Sequence, residues 1–395
     1  MLDGLKVVEL ATYVAAPGAG GVLADWGADV VKVEQPGGDV ARRFFGLDEG
    51  DALNPMFALD NRGKRSVVID YRKPDGRDAL LRLLDGADVF LTNVRPGALR
   101  RAGLDWDSLR VSHPRLIYAS VTGYGLQGPD ADKPGFDIAA FWARAGVGAI
   151  TVPKGQEPFP VRTAMGDHVC SLATVSAILA AVVGRTRTGE GSLVETSLLR
   201  TGVYAIGSDV AVQLAYGKLA STKSRHEVIN PVSNFFRTKD GRWICLVPRQ
   251  GEGDVGAVCR AAGRPDLLED ERFSRRNRRA NAAAFVDALD AAFGALTLEE
   301  AAARLDEEDV PWAPMQTPAE VVRDPQAEAA GCLTDVPDGR GGSFRAPASP
   351  ARFNGVDRAP ADRPPELGAH TDAVLAEAGL APDAVAALRS SGAVA

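Results

Sequence analysis

The sequence predicts an α/β protein with a large Rossmann-like parallel-sheet domain and a smaller α+β domain. Three features point to it. Strand patterns rich in β-branched residues alternate with helix patterns over the first third of the chain. A hairpin signature opens a differently patterned region near residue 230. The chain has 395 residues, more than a single core usually fills.

Taken in order, Lys6–Leu10 reads as a strand, followed by a small-residue turn (Ala15 to Gly21) and a short helix through Trp26. Asp29–Glu34 and Ser66–Asp70 are the next strands, and a helix then opens at Pro74 and closes near Gly86. Asp88–Asn93 and Leu116–Val121 complete the set. Continuous β-branched strands between helices imply a parallel sheet covered on both faces. Val169–Val183 is apolar nearly all round, which predicts a buried helix, and Gly184–Gly191 reads as a polar turn. Asn234–Thr238 and Arg242–Leu246 flank Lys239-Asp240-Gly241, a hairpin. Helical patterns follow at Gly256–Ala262, Ala282–Phe293 and Leu298–Leu305. Val336–Pro365 is rich in Pro, Gly and Arg and reads as an extended return segment, and the tail from Thr371 is weakly helical. The expected domains are 1–215, a linker at 216–230, a small domain at 231–330, and a return to the large domain at 331–395.

Composition narrows the function. A net charge of −7 argues against a general nucleic-acid binder, so a polyanionic ligand needs local basic pockets. No signal-like start and no apolar run of membrane-spanning length are evident, which predicts a cytoplasmic protein without a membrane partner. The four cysteines are scattered, as in a reducing compartment, and four histidines without ligand spacing predict no metal site.

Candidate chemistry lies at strand ends and ahead of the long apolar helix. Gly18 and Gly20 after the first strand resemble a dinucleotide loop with Glu34 as the ribose acid, but Leu23 stands where the third glycine belongs. Arg72, Lys73, Arg95, Arg100 and Arg101 recur after strand ends, where α/β sheets collect ligands; each is also ordinary surface charge. Lys133-Pro134-Gly135-Phe136-Asp137 delivers an aromatic ring and a carboxylate into an apolar run, and Asp137 with Asp167 forms a conjectural acid/base pair. His168 reads as a structural histidine. Asp167 reads either as a helix N-cap or as a nucleophile, the helix end helping to keep its carboxylate ionised.

Several segments together resemble the class III CoA-transferases (the CaiB/BaiF family). They include Leu2–Leu10, Gly27–Glu34, Asn61–Ser66, Asn93–Gly97, Arg187–Gly191 and Leu367–Thr371. The resemblance spans essentially the whole chain. It implies that Asp167 is the nucleophile and that CoA moves from an acyl-CoA to a carboxylic acid through an aspartyl anhydride and an aspartyl-CoA thioester. It further implies that CoA is a substrate, with no covalently bound cofactor. The implied CoA contacts are Ala15, Ala16, Ile69, Tyr71, Arg72, Asn93, Val94, Arg95, Arg101, Lys133, Phe136 and Asp137. It also implies a homodimer of interlocked rings.

The chain departs from the formyl-CoA transferase pattern at Ala15, where that enzyme has glutamine. Its glycine loop is matched only loosely by Gln250–Asp254. The related α-methylacyl-CoA racemases carry a histidine where this chain has Phe136, which disfavours racemisation. A non-catalytic CoA-binding protein is the other alternative.

Overall fold

The computed structural model describes residues 1–46, 54–249, 251–338, 341–354 and 363–395. Two compact units emerge. One comprises Met1–Ala149, Phe159–Leu219 and Glu328–Ala395; the other comprises Ile150–Pro158 and Ala220–Ala327.

The first unit is built on six parallel strands: β1 (Lys6–Leu10), β2 (Asp29–Glu34), β3 (Arg65–Val68), β4 (Val89–Thr92), β5 (Ile117–Thr122) and β6 (Leu193–Ser197). Their order is β3-β2-β1-β4-β5-β6. The order reverses between β1 and β4, the switch point where such sheets open a crevice at their carboxyl ends. Side chains alternate across the sheet: Val7 and Ala11 join one apolar cluster, Val8 and Leu10 the other.

Helix α1 (Ala15–Asp25) covers the first face. Short α2 (Pro55–Asn61) leads into β3, and α3 (Pro74–Leu84), α4 (Pro96–Ala102) and α5 (Trp106–Ser112) precede β5. A π-helical turn at Ile138–Arg144 leads to α6 (Val147–Thr151). Then come α7 (Met165–Thr188), α8 (Leu198–Ala205) and α9 (Gly207–Tyr216). The carboxyl tail returns to the sheet edge, where the Asp70 amide donates to the Ala393 carbonyl at 2.8 Å.

Helix α7 corrects three readings of the sequence. It runs on through Thr188, so most of the expected polar turn is helix. It is not buried all round: Cys170, Thr174, Val175 and Ile178 are covered, whereas Val169, Leu172 and Val183 are exposed. By length and composition it could cross a membrane, contrary to the expectation that no such segment exists. The reading erred because a run of Ala, Val and Leu has no polar face to reveal which side is covered. Strand β6 was not anticipated from the sequence.

The second unit holds the expected hairpin, β7 (Phe235–Arg237) and β8 (Trp243–Leu246), extended by β9 (Trp312–Pro314) into an antiparallel sheet. Helices α10 (Glu252–Ala261), α11 (Ala282–Phe293) and α12 (Leu298–Glu307) pack with it through Phe236, Phe285 and Phe293. Of the glycine-loop match, Gln250 lies outside the described residues, and Glu252–Asp254 open α10. Parts of the return segment, at 339–340 and 355–362, also lie outside them; β10 (Leu333–Pro337) and β11 (Ser343–Pro347) pair antiparallel.

Candidate active site

A cavity of about 520 Å³ opens at the carboxyl ends of the strands. Thr12–Ala15 enter it after β1, Asn93–Pro96 after β4, Thr122 and Gly123 at the end of β5, and Tyr71 beyond β3. Asp167 lines it from the first turn of α7, with Lys133–Asp137 on the approach to the π-helical turn.

A buried ion network underlies this edge. Lys32 Nζ meets Glu9 Oε1 at 3.1 Å and Asp39 Oδ2 at 2.8 Å; Lys64 Nζ meets Glu9 Oε2 at 2.7 Å. Asp39 Oδ1 accepts from the Tyr13 amide at 3.1 Å. Tyr13 has φ +67°, rare for a bulky residue, and the network holds it there. Asn93 closes a reciprocal pair with the Thr12 backbone, at 3.0 and 2.7 Å. A Cβ on Gly20 would stand 2.0 Å from Glu9 Oε2, so the glycine makes room for a buried carboxylate. Glu34 is likewise structural, bound by Arg42 at 2.8 and 2.7 Å and by Ser66 at 2.6 Å. The small residues expected as a turn lie inside α1, where Gly18 and Gly20 accommodate the protein's own Asp60 and Glu9.

Asp167 is not an N-cap. Ala164, at φ +81°, precedes the helix, and no side chain caps it. Asp167 sits in the first turn, where the helix dipole favours its charge, but burial dominates. Its carboxyl is pushed up to about 7, first by desolvation and then by the Asp137 charge, with His168 pulling it down. Burial therefore opposes the helix end that was expected to help keep it ionised. Asp137 is 2% exposed, and the Ala164 and Gly166 amides at the start of α7 face its carboxylate. Burial raises Asp137, partly offset by the Ala164 and Gly166 amides and His168. A Cβ on Gly166 would stand 2.3 Å from Asp137 Oδ1, so glycine lets Asp137 approach the start of α7.

His168 is satisfied structurally, with Nε2 3.1 Å from Asp60 Oδ1, and that bond is the largest cause of its raised pKa. It therefore brings positive charge toward the two aspartates. If Asp167 attacks as the family resemblance implies, it must be ionised, and activity should fall as pH drops below about 7, approaching tenfold per unit. A kcat/KM profile flat from pH 5 to 8 would show that Asp167 is not titrating in the reaction.

Of the residues expected from the sequence, Asp167, Ala15, Tyr71, Asn93, Val94, Arg95, Lys133, Phe136 and Asp137 line the cavity. Ala16 and Ile69 do not, being fully buried. Arg72 and Arg101 lie outside the lining, and Arg72 is exposed and paired with Asp70 at 2.7 Å. The Asn93 amide is occupied by Thr12, which leaves its backbone for a ligand. Thr12, Tyr13, Phe44, Thr163 and Leu198 also line the cavity and were missed. The position of Thr12 and Tyr13 just past β1 could have signalled them; nothing local marks Phe44.

In the second unit, the fold brings His226, Asp287 and Asp290 together, a cluster that sequence spacing did not foretell. Arg225 grips both Asp290 oxygens, one contact at 2.7 Å, so the cluster already has its cation.

The CoA-transferase family III profile matches residues 2–371. The chain belongs to CoA-transferase family III. It is 35% identical over 383 residues to the (R)-2-hydroxy-4-methylpentanoate CoA-transferase of Clostridioides difficile, covering 96% of both chains. It is 32% identical to the cinnamoyl-CoA:phenyllactate CoA-transferase of Clostridium sporogenes, covering 96% of this chain and 93% of that one. A solved structure of a CAIB/BAIF family protein from Brucella suis superposes with TM-score 0.85 at 34% identity, over 95% of this chain and 99% of the other. Both the α/β fold and its six-stranded parallel sheet accord with this family III relationship.

Proposed function

We propose that this family III chain transfers CoA from an acyl-CoA thioester to a carboxylic acid, with Asp167 as nucleophile. An Asp167 oxygen attacks the thioester carbonyl; the C–S bond breaks, giving a mixed anhydride and CoA thiolate. The thiolate attacks the Asp167 carbonyl, releasing the donor acid and leaving an aspartyl-CoA thioester. The acceptor carboxylate then attacks that thioester to form a second anhydride. Returning thiolate takes the new acyl group and frees Asp167. Each step exchanges one acyl–heteroatom bond for another, so no oxidant or net proton is needed.

The observation carrying this reading is Asp167 itself: a desolvated carboxylate at the sheet's switch point, in the cavity shared with Asn93–Arg95 and Lys133. A raised pKa makes an ionised carboxylate a better nucleophile. Ala15 opens α1 on the cavity wall, and the first amide of a helix suits an oxyanion. Arg95 and Lys133 supply positive charge for a CoA phosphate.

We further propose that the working form is a dimer of interlocked chains, with each chain divided as the sequence suggests. Exposed Leu172, Val183, Tyr204, Leu214 and Tyr216 on α7–α9 support a covered face. Unpaired cysteines and a CoA substrate suit the cytoplasm.

Incubation with an acyl-CoA and hydroxylamine should convert Asp167 to its hydroxamate, read by peptide mass spectrometry. No mass change at Asp167, together with exchange of the acyl α-proton into solvent, would replace this reading with racemisation.

A further inference from the structure

We propose that Tyr13, Phe44 and Phe136 form the acyl subsite, and that it selects bulky apolar acyl groups, aryl-substituted or branched, over dicarboxylic ones. This rests on the CoA-transfer reading above.

All three rings line the cavity that holds Asp167. The Tyr13 ring meets Phe136 edge-on at 5.5 Å and Phe44 at 5.9 Å, so they form one continuous aromatic surface. Phe136 is 55% exposed and belongs to no core cluster, so the ring is available to a ligand. Its neighbour Asp137 approaches Gly166, which places Phe136 near the start of α7. From the other side, Ser171 Oγ donates to the Ala15 carbonyl at 2.7 Å and ties the Tyr13–Ala15 turn to that helix.

The left-handed backbone of Tyr13 strengthens the assignment. A bulky residue in that region is unfavourable and persists where the surroundings over-determine it, commonly at ligand sites. Here the Asp39–Lys32 pair below and the Asn93–Thr12 pair beside it do so.

Charge argues against a second carboxylate on the acyl group. Close to Asp167 lie Asp137 and Asp60, and the nearby cation, His168, is already bonded to Asp60. The Lys133 ammonium lies 5.9 Å from the Tyr124 ring and 3.9 Å from Asp130. A succinyl-type group would thus add negative charge beside two aspartates, while the cavity's other cations, Arg95 and Lys133, are assigned to the CoA phosphates.

The test compares 3-phenylpropanoyl-, isovaleryl-, acetyl- and succinyl-CoA as donors to one acceptor acid, with Asp167 hydroxamate formation followed in parallel. Phenylpropanoyl- and isovaleryl-CoA should exceed succinyl-CoA in kcat/KM by about 100-fold. Phe136→Ala and Phe44→Ala should each lower the phenylpropanoyl-to-acetyl ratio by about 10-fold or more. Succinyl-CoA reacting as well as phenylpropanoyl-CoA, or an unchanged ratio in both variants, would overturn the subsite while labelled Asp167 leaves CoA transfer standing. No labelling of Asp167 by any donor would remove both.

Discussion

Asp167→Asn should lower turnover by roughly 10⁴-fold or more, because it removes the oxygen that attacks in the mechanism proposed above. The same change should make the protein more stable. The Asp167 carboxyl is raised to about 7 in the folded chain, against about 4 for an unperturbed aspartate. The folded state therefore holds its proton more tightly than the unfolded state. That contribution is fully present below about pH 4 and is lost as pH rises toward 7. Asparagine carries no such dependence. The variant and the parent should thus match near pH 4 and diverge above pH 7, the variant gaining about 2 kcal/mol once partial exposure is allowed for. Thermal melts across that range test this. Equal or lower stability of the variant at pH 8 would show that the site does not strain its own nucleophile.

Glu9→Gln should destabilise the fold by about 3–5 kcal/mol although residue 9 touches no substrate. Glu9 divides its two oxygens between Lys32 and Lys64, and all three side chains are fully buried. Without its charge Lys32 keeps Asp39, but Lys64 loses its paired carboxylate. Lys64 is already lowered to about 8, first by burial, so it would shed its proton more readily still. Arg110→Ala, removing an exposed pair with Asp107, should cost less than about 0.5 kcal/mol and serves as the control. Denaturation midpoints that shift equally in the two variants would show that the network is dispensable. A larger loss in Glu9→Gln should also lower activity near the denaturation midpoint, because the network holds Tyr13 through Asp39.

The parallel sheet was legible because its strands are buried on both faces. Val30, Val31 and Val33, or Val89, Phe90 and Leu91, leave a continuous apolar signature between helix patterns. The hairpin at Lys239–Gly241 was legible because its turn residues announce it. Helix α7 was misread because apolarity does not say which side is covered. The glycines after β1 were misleading: Gly20 makes room for the buried Glu9 and Gly18 for Ser171 and Asp60, contacts with no local trace.

For the site, the chain by itself determined which residue could be a nucleophile and which strand ends could gather around a ligand. Whole-chain resemblance, rather than local pattern, distinguished Asp167 from a cap. Only the tertiary structure decided its state. Burial and Asp137, thirty positions earlier in the chain, raise its pKa, and Asp60 anchors the His168 that tempers it. Desolvation and charge–charge coupling depend on distance in space, and sequence separation does not encode that distance. The same reason hid the aromatic surface of Tyr13, Phe44 and Phe136: three rings from three segments become one wall only when the sheet closes beneath them.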